Sequence, residues 1–483
     1  MSFPRALSVC LCLLFFGFHV PARAETFEVR TRQRQLFLDD VGIEKTSLKR
    51  TMHRPVKRGA VIRHPDPRQT VQTRTAPAWD PRDELFKIWL TSGLYASSPD
   101  GLHWAVEPYD GPNLVVIDLH DPDPSRRFKG VIGAEGFAVS ADGKDWTRLD
   151  LPAIPSYDEY NFSYNPRQRL FIHTVKRSGP YGRSVALATS SDFQKWTDHG
   201  LIFHADARDQ ELGIERIKAR LNKPHLQQTE YDTPEHYSIQ IYNMGMFLYE
   251  GVFIGLPSIY HHTGKVPPDW PGFKKLHLSP EILALTKVHG DYTGFYTVQL
   301  ISSRDMRNWK RQGDRQPFIE TSPLGAGAYD LQTIIGPSEP VDRGDELWFY
   351  YTGIKGYGFV TAGSTAGYDD YFPDAGAICL AVLRKDGFVS LDTGEGGGDL
   401  TTRLFTLPAG QLHVNARCAQ NGYLQATLVD SSGRALAVSE PIGGEQLRGR
   451  LQWKTGDLSL ATGKKARLQF SLRNTSFFSY WFE

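Results

Sequence analysis

Cysteine is scarce: four residues in a chain of 483, two of them (Cys10 and Cys12) within the first dozen. That excludes a disulfide-built scaffold. No Cys/His spacing resembles a zinc ligand set, so no metal or cofactor is expected. Net charge is nearly absent as well, with 55 basic residues against 54 acidic ones and a formal charge of +1. Nothing in that balance calls for nucleic acid or an anionic membrane as partner. Beyond the N-terminus no apolar run approaches the ~20 residues of a membrane span. There is no Gly-x-Ser-x-Gly elbow, which argues against a serine esterase. The glycine cluster Gly394 to Gly398 lacks the strand–helix context of a phosphate loop.

The N-terminus carries the one long apolar segment. Arg5 precedes Ala6 to Val20, and Ala22-Arg-Ala24 fits a small-residue cleavage site. Residues 1–24 therefore read as a signal peptide, and the mature chain is expected to be secreted or periplasmic. Export permits a disulfide between Cys379 and Cys418; two buried free thiols are the default.

What the chain has in plenty is a repeat. Five times an apolar strand leads to a second strand with a similar ending. The endings are Ser98-Pro-Asp-Gly-Leu-His-Trp104, Ser140-Ala-Asp-Gly-Lys-Asp-Trp146, Ser191-Asp-Phe-Gln-Lys-Trp196, Ser303-Arg-Asp-Met-Arg-Asn-Trp309 and the degenerate Arg384-Lys-Asp-Gly-Phe388. Repeats of strands at this spacing argue a propeller. Its Asp-Gly turns and Trp residues are blade carpentry. The fold expected is all-β: a five-bladed β-propeller over residues 25–393, then a small C-terminal β-sandwich over 394–483. A segment from Gln210 to Leu226, apolar at Leu212, Ile214, Ile217 and Leu221, is a weak helix candidate.

Inner strands of a propeller line a central funnel, so the acids that precede them are the place to seek chemistry. Counting back from the aromatic that opens each second strand serves as a ruler. Twelve residues before Phe171 stands Glu159, beside Asp158. Twelve before Phe247 is Glu235, and twelve before Phe86 is Arg74. Asp118 and Asp121 precede Phe128, and Asp330 precedes Trp348, at other spacings. Carboxylates brought close resist ionising together, which supplies an acid and a base near neutral pH. Glycoside hydrolysis needs that pair.

The repeat with its Ser-x-Asp-x-x-x-Trp hairpins resembles the five-bladed propeller glycosidases of glycoside hydrolase families 32, 43, 62 and 68. The resemblance spans Gln35 to Leu391 and implies hydrolysis of a poly- or oligosaccharide by three acids on inner strands. It implies Glu235 as proton donor, Asp158 or Asp330 as base or nucleophile, and Asp121 as the orienting carboxylate. Arg74, Glu159, His262 and His53 are the expected substrate contacts, with carbohydrate the expected partner. The chain departs from the family-32 pattern in three places. Gln72-Thr-Arg-Thr75 stands where Trp-x-Asn-Asp-Pro-Asn-Gly belongs. His120-Asp-Pro122 replaces Arg-Asp-Pro, and there is no Glu-Cys pair. A carbohydrate-binding propeller without catalysis is the alternative. A sialidase is a third reading, although its Asp-box is one residue longer than Ser98 to Trp104.

Overall fold

The computed structural model describes residues 27–483 except 230, 276–279, 281–282, 285–286, 288–291, 326 and 357–373. The expected signal peptide lies outside the described residues. Five antiparallel sheets follow one another along the chain. The inner strands are Ala78–Asp80, Leu114–Ile117, Tyr160–Asn165, Ser238–Tyr249 and Thr333–Ile335. Blade three shows the pattern most simply: Tyr160–Asn165, Leu170–Gly179, Gly182–Ser190 and Thr197–Phe203 pair in order. The fifth blade takes its outermost strand, Val56–Arg63, from the N-terminal part of the chain, which pairs with Gly376–Arg384. This closes the ring.

The repeated signature is the hairpin between a blade's third and fourth strands. In blade one Ser98 Oγ accepts from Gly101 N at 2.8 Å, and Asp100 accepts from Leu102 N and His103 N. Ser140 with Asp142, Ser190 with Asp192 and Ser303 with Asp305 repeat the geometry. In blade three the hydroxyl belongs to Ser190, not to Ser191. The Trp residues pack against the blade cores; Trp196 stacks on Phe137 at 4.7 Å. The fifth ending departs from the pattern, and its Asp386 has another use.

Adjacent blades share no backbone ladder between inner strands three, four and five, so their carbonyls need other donors. Side chains supply them. Ser163 Oγ donates to Met246 O at 2.5 Å, Thr174 Oγ1 to Met244 O at 2.6 Å, and Ser338 Oγ to Phe162 O at 2.7 Å. Gly245 faces the Pro337 carbonyl so closely that a Cβ would collide with it. Polar residues in these strands are therefore partly the fabric that joins blades.

The helix candidate forms as Ala207–Leu221. Asp206 and Asp209 make a capping box, and Ile217 is buried against the fourth blade.

The C-terminal region is one network of eleven strands around its own core, which includes Leu412, Leu428, Leu468 and Phe470. The long strands Leu412–Asp430 and Lys465–Phe482 run through it. The strands do not divide at 393/394 as the composition suggested. Gln35–Leu36, Ile43–Thr46, Lys49–Met52 and Val389–Thr393 all pair within this C-terminal network. The N-terminal arm thus serves both units. Cys379 and Cys418 are buried free thiols, one in blade five and one in the C-terminal network.

Candidate functional site

The propeller has two ends. At one end lie the signature hairpins; at the other the inner strands of blades three, four and five begin. The residues that lead into blades one and three meet at this second end, here called the funnel, together with Asn243 from within the inner strand of blade four.

Arg74 sits on the chain before the first inner strand, and Phe162 N donates to its carbonyl at 3.4 Å. Its guanidinium grips Glu159 with two parallel bonds, Nε to Oε2 at 2.6 Å and Nη2 to Oε1 at 2.7 Å. Both side chains are more than nine-tenths buried. The remaining Arg74 donors reach Thr73 O and Gln72 Oε1. Burial alone would lower the Arg74 pKa, but the Glu159 carboxylate outweighs it and the guanidinium ends above its ordinary value. From blade four, Asn243 Nδ2 donates to Glu159 Oε2 at 3.3 Å.

Asp158 turns to water and pairs with Lys176 Nζ at 2.7 Å. The ammonium also lies 3.8 Å from the centre of the Tyr242 ring. Burial pulls the Lys176 pKa down, while Glu159 and Asp158 oppose it; the net direction is down. Tyr242 occupies a β-bulge, since the register slips between Ile241 and Asn243. A bulge re-aims a side chain, and here it brings the ring over Lys176.

Several polar atoms of this end are buried without a hydrogen-bond partner: both amide atoms of Asn161, Oδ1 of Asn243 and Oγ1 of Thr75. Others occur elsewhere, at the Trp146, Trp196 and Trp309 indoles for example, but here four gather beside a buried ion pair. Together with the Arg74–Glu159 pair they make a polar floor with unspent hydrogen-bonding capacity.

Among the residues expected from sequence, the structure brings together Arg74, Asp158 and Glu159. The others lie apart. Asp121 follows the inner strand of blade two and stands at the hairpin end, where it pairs with Lys129 and with Arg126 at 3.4 Å. These cations hold its carboxyl below its ordinary range against the opposing effect of burial. It lines a cleft with Asp118, Arg169 and Asp192, the last from a signature hairpin. Asp330 is on the funnel side, but its carboxylate is taken by Lys57 at 2.6 Å and Tyr351 at 2.9 Å. Glu235 is exposed just ahead of Ser238–Tyr249. From Ser238 to Asn243 is about 16 Å of strand rise, so Glu235 belongs to the mouth rather than the floor. His262 is a buried strand residue whose Nδ1 faces His236 O at 3.1 Å. His53 bonds Ser390 Oγ at 2.6 Å beside Phe478, at the junction with the C-terminal network. Its pKa is lowered by burial.

Lys176, Asn161, Tyr242 and Asn243 were not foreseen. One signal pointed to three of them: the pair Tyr-Asn recurs in two inner strands, as Tyr160-Asn161 and Tyr242-Asn243, although Tyr164-Asn165 repeats it away from the site.

Among the described residues no group of His, Cys, Asp and Glu is placed to hold a metal ion, and no helix is long and apolar enough to cross a membrane.

No protein-family model matches the chain, and no curated protein matches it. Solved structures do. A glycoside hydrolase shares 12% identity, covering 68% of this chain and 92% of its own, at a TM-score of 0.38. A Bombyx mori family-32 β-fructofuranosidase shares 10% over 89% of this chain and 94% of its own, at 0.35. A Bacillus subtilis family-43 arabinoxylan arabinofuranohydrolase, in complex with cellotetraose, shares 9% over 88% and 99%, at 0.33. These three are glycoside hydrolases; a Listeria innocua β-1,2-mannobiose phosphorylase also matches, at 14% identity over 62% of this chain and 68% of its own and a TM-score of 0.25. The five-blade arrangement of this chain stands on the strand pairing described above.

Proposed function

We propose that the protein is an exported glycosidase whose substrate enters the funnel end. The observation that carries the reading is the buried Glu159–Arg74 pair on a polar floor, with the exposed Asp158 beside it. A glycoside passes through a transition state with positive charge on the ring. Glu159, fixed by the Arg74 fork, stabilises that charge without reorganising. Asp158 is open to solvent and supplies the second carboxyl group, which moves the proton or attacks the ring. Lys176 holds Asp158 in place through their ion pair. Glu235 meets the outer part of the substrate at the mouth. Asp121 is left out of the chemistry because it stands at the hairpin end, and Asp330 because Lys57 and Tyr351 hold it apart from the Glu159 floor.

Activity on a panel of aryl glycosides tests this. Glu159→Gln is isosteric, and activity should fall by about 100-fold or more, the lower range for a group acting in the transition state. Full activity in a folded Glu159→Gln protein would sink the reading. One observation favours a second reading, a carbohydrate-binding propeller without turnover. Arg74 occupies the place in blade one where the resemblance puts an acid. Sugar binding with no turnover by the wild-type protein would select it.

A further inference from the structure

The rim of blade three carries two exposed aromatic rings. Tyr157 is 64% exposed and Tyr181 39%, while many of the propeller's rings are buried. Such rings at the edge of a candidate site offer apolar faces on which a partner can stack. Tyr157 directly precedes Asp158 and Glu159. Its backbone is pinned: Tyr157 N donates to Lys176 O at 3.1 Å, and Ser156 Oγ donates to Glu159 O at 3.0 Å. Its hydroxyl is held by Ser178 Oγ at 3.2 Å. Ser178 belongs to the strand that runs into the hairpin carrying Tyr181. The Tyr157 ring is therefore presented rigidly, with little freedom left to lose on binding.

Two of the cations around it are paired with acids, and a third bonds a neutral amide. Lys176 pairs with Asp158, and Arg177 pairs with Asp198 at 2.6 Å. Arg183 donates to Gln240 Oε1 at 2.8 Å. Tyr157 itself offers a ring face and a hydroxyl rather than a charge, which suits an uncharged ring better than a uronate or a sulfated sugar. The apolar face of a pyranose or furanose matches a tyrosine ring, and its hydroxyls match the polar edge.

We infer that Tyr157, with Tyr181 behind it, is a stacking subsite for a neutral sugar unit next to the one held at the Glu159 floor. The substrate is then an uncharged oligo- or polysaccharide rather than a small glycoside. This rests on the glycosidase reading for the direction of the chain, but its test does not need turnover.

Xylohexaose, fructohexaose and mannohexaose are titrated by calorimetry into the Glu159→Gln protein, with and without Tyr157→Ala. At least one hexaose should bind, and Tyr157→Ala should weaken it about tenfold, one aromatic contact's worth. Tyr157→Phe should restore most of the affinity. Added salt should leave it unchanged. Binding that Tyr157→Ala does not alter, or no binding of any hexaose, overturns the subsite. Salt-sensitive preference for oligogalacturonate overturns the neutral class. Failure of the glycosidase reading shows elsewhere, as undiminished aryl-glycoside turnover by Glu159→Gln.

Discussion

Two buried carboxylates in this molecule have opposite surroundings. Asp386, at the junction of propeller and C-terminal network, is fully enclosed and fully served. Arg34 Nη1 reaches it at 2.6 Å, Tyr249 Oη at 2.7 Å, Ser479 Oγ at 2.6 Å and Asn415 Nδ2 at 3.1 Å. Arg34 in turn lies 3.7 Å from the centre of the Trp481 ring. Glu159, at the funnel floor, has its arginine, but Asn161, Asn243 and Thr75 around it keep idle polar atoms. A completed network specifies structure; an incomplete one marks a place prepared for something else. The same chemistry, a carboxylate under an arginine, is thus read differently according to what remains unsatisfied.

The comparison can be broken most sharply at Asp386. Asp386→Ala leaves Arg34 buried without its counter-charge, and should cost about 3–5 kcal/mol of stability by denaturant titration. Its effect on the funnel chemistry of the folded fraction should be small. Loss of activity without loss of stability would reverse the two assignments.

A third acid sharpens it. Glu339 follows the last inner strand, and desolvation pushes its carboxyl up to about 8, although it accepts a bond from the Tyr164 backbone. Below the ordinary carboxyl range, folded and unfolded chains both hold the proton. Between that range and about 8 only the folded chain keeps it, so stability falls as pH rises through the window. The slope is at most ~1.4 kcal/mol per pH unit. Glu339→Gln should flatten it, as thermal melts across that window would record. A slope unchanged by the substitution would mean that Glu339 is not the group responsible.

The smallest effect is expected at Asp121. Asp121→Asn loosens Lys129 and Arg126 at the hairpin end and should leave turnover within about twofold, with a modest loss of stability. A loss of activity comparable to that of Glu159→Gln would return the chemistry to the hairpin end.

The blades were legible because their signature is local: Ser, Asp and a turn satisfy one another within a few residues, so the hairpin shows in one dimension. The ruler built on it found Arg74 and Glu159, which proved to be bonded partners. It failed in blade four because Phe247 lies in the first strand, not the second, which starts at Val252. The count therefore overshot to Glu235. In blade two, Asp118 and Asp121 follow the inner strand instead of preceding it, a matter of strand length that the spacing does not reveal. Asp330 failed for another reason: Lys57, which claims it, comes from a strand far away in sequence. His53 and the Gln35 strand were read as propeller because the arm's apolar pattern does not say which of two cores it joins. The Tyr242 bulge left no mark beyond an Asn in an apolar run.

The most direct measurement is a crystal structure of the Glu159→Gln protein soaked with the hexaose that binds it. Sugar density is expected in the funnel, one ring near Arg74 and Asn243 and the next against Tyr157. Density at the hairpin end, in the cleft of Asp118, Asp121 and Arg169, with the funnel empty, would contradict it.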